Sequence, residues 1–312
     1  MTRTLVVLGA GGRLGPAVVA AAEHAGYDVL QVGRATGFDA VDSAWQQPER
    51  WSALYLSAGV ESVAAVVNLV VSKANSADET AAVGRGAVRA AAAAKAAAVP
   101  AQQSAGHGLR PDGAAVAVHL GSVAEWRSGP PSAYAAGKIA ARQEAQRVGI
   151  DVVLTLGVVP RPAGDQRDAA LRRLAGRAPS VGALELDVST AEEAGAAVVR
   201  AVSYARDHST PAEITLAGRS RAVAEVVGVE PVRHWYSGAL VSLLAKSPRT
   251  SNTGYARLVS LARAASGTGT VGHYRTAPVS SAEQVAVLDG WPVLASGEGL
   301  WFVPRSDEVV HP

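Results

Sequence analysis

Three polar residues near the middle of the chain have the types and spacing needed for acid–base chemistry at a carbonyl group. Tyr134 and Lys138 are four positions apart, so they share one face of a helix, and Ser122 precedes them. An ammonium group beside a phenol stabilises the phenolate and lowers the pKa of the tyrosine toward the working range. A serine hydroxyl can hydrogen-bond a carbonyl oxygen on which negative charge develops. We therefore predict that Tyr134 transfers a proton, tuned by Lys138 and assisted by Ser122.

A glycine-rich turn near the N-terminus is the second functional signal. In LVVLGAGGRLGPAVV, Gly9, Gly12 and Gly15 lie between an apolar run and a helix-like segment. Such a turn lets the backbone approach a pyrophosphate, and the start of the helix offers unpaired N–H groups. A tight turn that binds no ligand is the alternative, because many strand–helix turns need glycine. The predicted binding residues of this turn are Gly9, Gly12, Arg13, Leu14 and Gly15.

The end of the second apolar run bears on the choice of dinucleotide. Proteins that bind NAD commonly carry an acidic residue there to hold the ribose 2′-hydroxyl. This chain has Gly33 and Arg34 instead. An arginine can pair with a 2′-phosphate in a bidentate way, and Arg13 could add a second positive charge. We therefore expect NADP(H) rather than NAD(H), with a solvated surface role for Arg34 as the alternative.

The order of the elements predicts an α/β fold of the Rossmann type, with a doubly wound parallel sheet. Ser122 would then lie near the carboxyl end of a strand, where ligands bind in such sheets. After residue 160 the pattern loosens, with a helix predicted in AEEAGAAVVRAVSYARD, a strand in AEITLAG and helix-like stretches near 238–246 and 253–265. Apolar strand-like runs at 5–8, 29–32, 63–71, 114–120 and 152–159 alternate with helix-like segments at 16–25, 48–58, 79–98 and 133–148. We predict a nucleotide-binding domain at 1–220 and a C-terminal substrate-binding extension at 221–312.

Bulk composition excludes several classes of function. Hydrophobic residues make up 48% of the chain, enough for a large core, and the net charge is only +2. So small a charge excess leaves no footprint for nucleic-acid binding. The chain has no cysteine, which excludes disulfides and cysteine metal sites, and its histidines lack ligand spacing. With no targeting or membrane segment visible, we expect a cytoplasmic protein with no metal.

The glycine turn together with Ser122, Tyr134 and Lys138 resembles the short-chain dehydrogenase/reductase superfamily over roughly residues 3 to 220. The resemblance implies that the tyrosine is the proton donor or acceptor and that the lysine also binds the nicotinamide ribose. It further implies cofactor contacts at Asn68, in VVNLVVS, and at Asp39, in FDAVD, near the adenine. Bulk properties do not show oligomeric state, but the resemblance favours a dimer or tetramer.

The sequence also departs from that family pattern. The middle glycine of the compact branch would fall on Arg13, and the spacing of Gly9, Gly12 and Gly15 fits the extended or atypical branch better. A family asparagine that often completes a proton relay would fall near Gly84, so that role is not transferred.

Three functions are compatible with these observations. The leading hypothesis is an NADP(H)-dependent ketoreductase or secondary-alcohol dehydrogenase acting on a small-molecule carbonyl or alcohol. An epimerase or dehydratase would use the same site without net redox change. A protein that senses NADP(H) without catalysis is the third, although relatives of that kind usually lack the tyrosine–lysine pair.

Overall fold

A mostly parallel sheet with helices on both faces forms the centre of the protein. Within the described residues it has nine strands, in the order β2-β1-β3-β4-β5-β7-β11-β10-β9. The strands are β1 Thr4–Leu8, β2 Asp28–Val32, β3 Val63–Asn68, β4 Val116–Ser122, β5 Val152–Leu156, β7 Ala212–Leu216, β9 Glu283–Leu288, β10 Trp291–Ser296 and β11 Gly299–Phe302. The computed structural model describes residues 3–72, 76–98, 114–126, 131–160, 172–173, 175–176, 179–229, 276, 281–296 and 299–304.

Burial on both faces explains why the central strands are almost continuously apolar. Every residue of β1, β3, β4 and β5 is buried, as expected for a parallel sheet covered by helices. The strand order reverses between β1 and β3. From β1 the chain goes to β2 on one side of β1, and then crosses to β3 on the other side. The crevice at the carboxyl ends of these strands is the usual ligand-binding place in such sheets. The predicted Rossmann-type fold is confirmed.

Helices α1 (Gly15–His24) and α6 (Ala191–Asp207) cover one face of the sheet. On the other face lie α2 (Pro48–Ser57), α3 (Ala77–Ala97) and α4 (Ala133–Val148). Local sequence defines their ends: Ser132 caps α4 through the N–H of Ala135, and Gly149, at φ 70°, ends that helix. No helix within the described ranges is long and apolar enough to cross a lipid bilayer.

The C-terminal part of the chain returns to the main sheet. Strand β11 pairs in parallel with β7, and β10 and β9 continue the sheet as antiparallel neighbours. The sequence analysis did not predict these three strands. The helix-like stretches predicted near 238–246 and 253–265 lie outside the described residues, and the role predicted for residues 221–312 stays a prediction. Beside the main sheet, β6 (Glu185–Val188) pairs with β8 (Arg219–Ala222), and the short helices α5 (Pro179–Gly182) and α7 (Val223–Val226) flank them.

Helices α3 and α4 cross at a pair of glycines. A Cβ atom added at Gly84 would lie 2.4 Å from the carbonyl oxygen of Gly137, and one added at Gly137 would lie 2.9 Å from that of Thr80. The hydroxyl of Thr80 also donates a hydrogen bond to the Ala133 carbonyl, at 2.5 Å. Because neither glycine has a side chain, the two helices can approach closely at the crossing. This close approach determines where α4, which carries Tyr134, lies in the fold.

Replacing Gly84 by alanine tests this constraint. In an exposed helical position the change from glycine to alanine stabilises a protein by about 1 kcal/mol. Here we expect the opposite sign, a loss of about 1–3 kcal/mol in the free energy of unfolding, because the new methyl group forces α3 away from α4. Chemical denaturation of Gly84→Ala measures it, and a stabilised variant would contradict the close contact.

Candidate functional site

The glycine turn lies in the crevice between β1 and β3 and requires glycine at two positions. Gly9 has φ 83°, and a Cβ there would lie 3.2 Å from the backbone nitrogen of Val70. A Cβ at Gly15 would lie 1.6 Å from the carbonyl oxygen of Ala10, which no adjustment of side chains could relieve. The turn therefore packs tightly against its own strand and against the segment that follows β3.

The N-terminus of α1 opens onto this crevice without a capping side chain. Leu14 is the N-cap residue and makes no side-chain cap, and the first turn contains no acidic residue. Gly12 lies in the turn, donating its N–H to the Gly9 carbonyl at 2.8 Å. A helix start without its own cap or acidic residue favours a negatively charged group from outside the helix.

Arg13 takes a direction that the sequence did not predict. Its guanidinium donates hydrogen bonds to the carbonyl oxygens of Val159 and Pro160, which follow β5. It therefore ties the glycine turn to the far side of the crevice, and it does not point along β2 toward Arg34. Its predicted pairing with a 2′-phosphate stays a prediction that this arrangement does not favour.

Arg34 and Asp39 both lie beyond the carboxyl end of β2 and are exposed. Arg34 begins a short 3-10 helix that ends at Thr36. Asp39 accepts a hydrogen bond at Oδ1 from the backbone N–H of Val41, at 3.1 Å, so its carboxylate stabilises a turn. The guanidinium of Arg34 is accessible to an anion beside the crevice, whereas the proposed adenine contact of Asp39 stays a prediction.

Tyr134 and Lys138 line one cleft, as their spacing on α4 predicts. The opposite wall of the cleft is the segment that follows β3, from Val70 to Ser72. Because Gly9 packs against Val70, the cleft and the glycine turn share a wall. The remaining lining residues come from the crossing of α3 and α4 and are Thr80, Gly84, Gly137 and Ala141.

The ammonium group of Lys138 is buried, and its pKa differs from that of a free lysine. Only 5% of the residue is exposed, and its Nζ donates a hydrogen bond to the Leu120 carbonyl oxygen at 2.6 Å. Burial lowers the pKa of Lys138 to about 8, with Glu125 opposing the shift and Arg142 adding to it. The amine is therefore mostly protonated at pH 7 but close to its titration point.

Ser122 ends β4 and is held by a charged network. Its N–H donates to Oε1 of Glu125 at 2.6 Å, and its Oγ accepts from the N–H of Ala124 at 3.3 Å. Glu125 also pairs with Arg142, which donates to Thr155 Oγ1 at 2.5 Å. Ser122 is not among the residues that line the cleft of Tyr134 and Lys138. Its hydroxyl keeps a proton to donate, because the contact with Ala124 uses it only as an acceptor.

Asn68 and His119 form a buried polar pair that the sequence analysis did not identify. They are register partners on β3 and β4, and Asn68 Nδ2 lies 3.2 Å from His119 Nδ1. Asn68 is 1% exposed, so its predicted contact with a cofactor stays a prediction while its amide is engaged within the fold. One signal in the sequence could have indicated this pair: a histidine within a continuous apolar strand. Such a histidine is expected to be buried, and a buried polar side chain needs a hydrogen-bond partner.

Similar solved structures share this fold. A dTDP-4-dehydrorhamnose reductase from Clostridium acetobutylicum has a TM-score of 0.51 and 10% sequence identity, covering 73% of this chain and 82% of that protein. UDP-glucose 4-epimerase from Brucella ovis, in complex with NAD, has a TM-score of 0.50 and 14% identity, covering 82% and 97%. The Bordetella bronchiseptica enzyme WbmG, in complex with NAD and UDP, has a TM-score of 0.50 and 14% identity, covering 75% and 81%.

No protein-family model matches the sequence, and no curated protein matches it. At 10–14% identity the similarity to solved structures establishes a shared fold and not a shared activity. The chain therefore has the Rossmann-type α/β fold that those NAD- and nucleotide-linked enzymes also have.

Titration of the lysines tests the environment of Lys138, because the chain contains only four lysines. With isotope-labelled lysine we expect one resonance in nuclear magnetic resonance (NMR) spectra to titrate at about pH 8. The variant Lys138→Met should remove that resonance and should be more stable at pH 7 by about 1–3 kcal/mol, because it no longer buries a charge. The gain should shrink as the pH rises above 8, where the wild-type amine loses its proton and the burial cost with it.

A second pair of variants tests the cause of the shift. Glu125→Gln should lower the Lys138 titration point below 8, because the carboxylate raises the pKa of Lys138. Glu213→Gln is the matched control, since Glu213 also binds Arg142 but is half-exposed. Equal shifts in the two variants would contradict a specific effect of Glu125.

Proposed function

We propose that this protein is an NADP(H)-dependent oxidoreductase that interconverts a ketone and a secondary alcohol, with Tyr134 as the general acid and base. One observation carries the proposal: Tyr134 and the buried ammonium of Lys138 line a cleft whose opposite wall packs against the glycine turn. A phenol and an ammonium group in one cleft, with a dinucleotide-type turn packed behind one of its walls, make proton transfer beside a cofactor the chemistry that fits best.

Tyr134 and Lys138, which line the cleft, and Ser122, which lies outside its lining, divide the work of proton transfer. Tyr134 gives its phenolic proton to the substrate oxygen in reduction and takes it back in oxidation. The Lys138 ammonium stabilises the phenolate that remains, and it does so in a site where burial strengthens the interaction. Ser122 donates a hydrogen bond to the same substrate oxygen from the carboxyl end of β4, with its backbone anchored by Glu125.

The glycine turn fits the pyrophosphate of a dinucleotide. Gly9 has a positive φ and close backbone neighbours, Gly15 leaves no room for a Cβ atom, and the start of α1 has no capping side chain of its own. When bound, the nicotinamide supplies or accepts the hydride. Arg34 would bind a 2′-phosphate, which NADP(H) carries and NAD(H) lacks. The end of β2 has no carboxylate of the kind that commonly holds the ribose 2′-hydroxyl of NAD.

A second function has support from the comparisons. The similar structures include a UDP-glucose 4-epimerase as well as a reductase, so the same arrangement could serve an epimerase or dehydratase without net redox change. Incubation with candidate nucleotide sugars, whose products are analysed while the NADPH absorbance is followed, separates the two. Steady loss of absorbance supports a reductase, and product formation without it supports the alternative.

The variant Tyr134→Phe tests the assigned acid. We expect turnover of NADPH with a panel of ketones to fall at least about a thousandfold, because the proton donor is gone while hydride transfer geometry is kept. The dissociation constant for NADPH, measured by fluorescence titration, should stay within about twofold. Tyr204→Phe, on α6 at the other face of the sheet, is the control and should keep full turnover.

These measurements separate catalysis from sensing. Retained turnover in Tyr134→Phe would exclude this residue as the acid. NADPH binding without turnover in the wild-type protein, over all the ketones and nucleotide sugars tried, would favour an NADP(H)-sensing protein.

The variant Arg34→Glu tests the choice of dinucleotide. We expect the NADPH dissociation constant to rise about tenfold to a hundredfold, because a charge-assisted pair is replaced by repulsion, while that of NADH changes little. Arg3→Glu is the matched control, since Arg3 is exposed at the amino end of β1, on the opposite edge of the sheet. Equal weakening of NADPH and NADH would contradict recognition of the 2′-phosphate.

A further inference from the structure

His119 is a buried histidine that the proposed acid–base set does not use. It is 1% exposed and lies on β4, one residue before Leu120, whose carbonyl oxygen accepts the hydrogen bond from Lys138. Its neighbour two positions earlier, Ala117, packs with Ala141 of α4. Because side chains alternate along a strand, His119 also points toward the face covered by α3 and α4, the face on which Lys138 lies.

The hydrogen bonds of Asn68 determine which ring nitrogen of His119 carries a proton. The backbone N–H of Val70 donates to Asn68 Oδ1 at 3.0 Å, so the amide nitrogen of Asn68 must face His119. An amide NH2 group only donates, and therefore His119 Nδ1 must accept and cannot hold a proton. The neutral ring then carries its proton on Nε2.

The surroundings also oppose a charged imidazolium. Burial lowers the pKa of His119 well below its usual value, and the positive charges of Lys138 and Arg142 lower it further. Glu125 is already paired with Arg142, and Glu144, a buried carboxylate of α4, is paired with Arg89 and Arg147. Asn68 from β3 is uncharged, and the buried residues of α3 include no titratable side chain. A second proton would have to enter at Nδ1, against the NH2 group of Asn68.

This leaves a buried Nε2–H donor on the face of β4 that α3 and α4 cover, within electrostatic range of Lys138. Within the described part of the chain, Nε2 is a buried nitrogen with no hydrogen-bond partner. Three small residues that line the cleft, Gly84, Gly137 and Ala141, offer no side-chain acceptor. An unsatisfied buried donor costs about 1–3 kcal/mol, so a small acceptor that enters from the cleft is favoured.

We propose that His119 is a positioning residue whose Nε2–H holds a water molecule against the ammonium group of Lys138. The water accepts one hydrogen bond from His119 and one from Lys138. With one N–H of Lys138 bonded to the Leu120 carbonyl and one to the water, the third can donate into the cleft. The donors align in one chain, from Val70 N–H through the Asn68 amide to the His119 ring, and such chains strengthen their last donor. The water stabilises the ammonium, which the proposed function requires to be charged.

Histidine-labelled NMR of the ligand-free protein tests the tautomer. One of the seven histidines, identified by its loss in His119→Phe, should show the proton on Nε2 and should not titrate between pH 5 and 9. In Asn68→Asp the carboxylate can only accept, so the proton should move to Nδ1. A proton on Nδ1 in the wild-type protein, titration in this range, or an unchanged tautomer in Asn68→Asp would each overturn the proposal.

The lysine titration tests the water. In His119→Phe, which keeps a ring but removes the donor, we expect the Lys138 titration point to fall by about one unit, because the ammonium loses a hydrogen-bond partner. An unchanged value in a folded variant would overturn the water bridge. Should that variant not fold, His119→Gln, which retains an N–H donor, should keep the Lys138 value, and a fall of a full unit there would overturn it.

The proposal rests on the proposed function only for the use made of the charged lysine. Neither the tautomer nor the lysine titration requires a substrate or a cofactor. If the protein proves not to be an oxidoreductase, both NMR results still hold. If the NMR tests fail, the assignment of Tyr134 as the acid is not affected.

Discussion

The buried ammonium group of Lys138 is the constraint on which the site depends. A charge at 5% exposure is costly, and the protein offsets that cost with a carbonyl oxygen from β4 and with the carboxylate of Glu125 nearby. The same carboxylate fixes the backbone of Ser122 and the guanidinium of Arg142. The end of β4 and the middle of α4, from Lys138 to Arg142, are thereby held together by charge as well as by packing.

Close backbone contacts bring that charge to the crevice. The crossing of α3 and α4 at Gly84 and Gly137 allows α4 to lie close enough for Lys138 to reach β4, and Gly9 allows the segment after β3 to close the other side. Bulkier residues at these points would separate the walls of the cleft. Small residues thus set the distances between the elements that carry Tyr134, Lys138 and the glycine turn.

Much of the fold could be predicted from local patterns. The strands β1 to β5 are short apolar runs between helices, and local signals such as Ser132 and Gly149 mark the ends of α4. Both signals act within a few residues of the chain. Strand β11 escaped prediction because its place depends on pairing with β7, far away in sequence, whereas the hairpin of β9 and β10 has a local signal in Asp289–Gly290 that was missed. The hydrogen bonds of the Arg13 side chain could not be predicted for the same reason. Its partners, the carbonyl oxygens of residues 159 and 160, are placed by the path of the chain after β5.

The sequence by itself determined that Tyr134 and Lys138 share one helix face and that a glycine turn joins the first strand to the first helix, because helical periodicity and glycine's conformational freedom are local properties. Only the tertiary structure decided that Lys138 is buried, that Ser122 is held by Glu125 and that Asn68 dictates the protonation of His119. Those features arise between neighbouring strands and crossing helices, where burial and hydrogen-bond direction depend on partners that the linear order does not reveal.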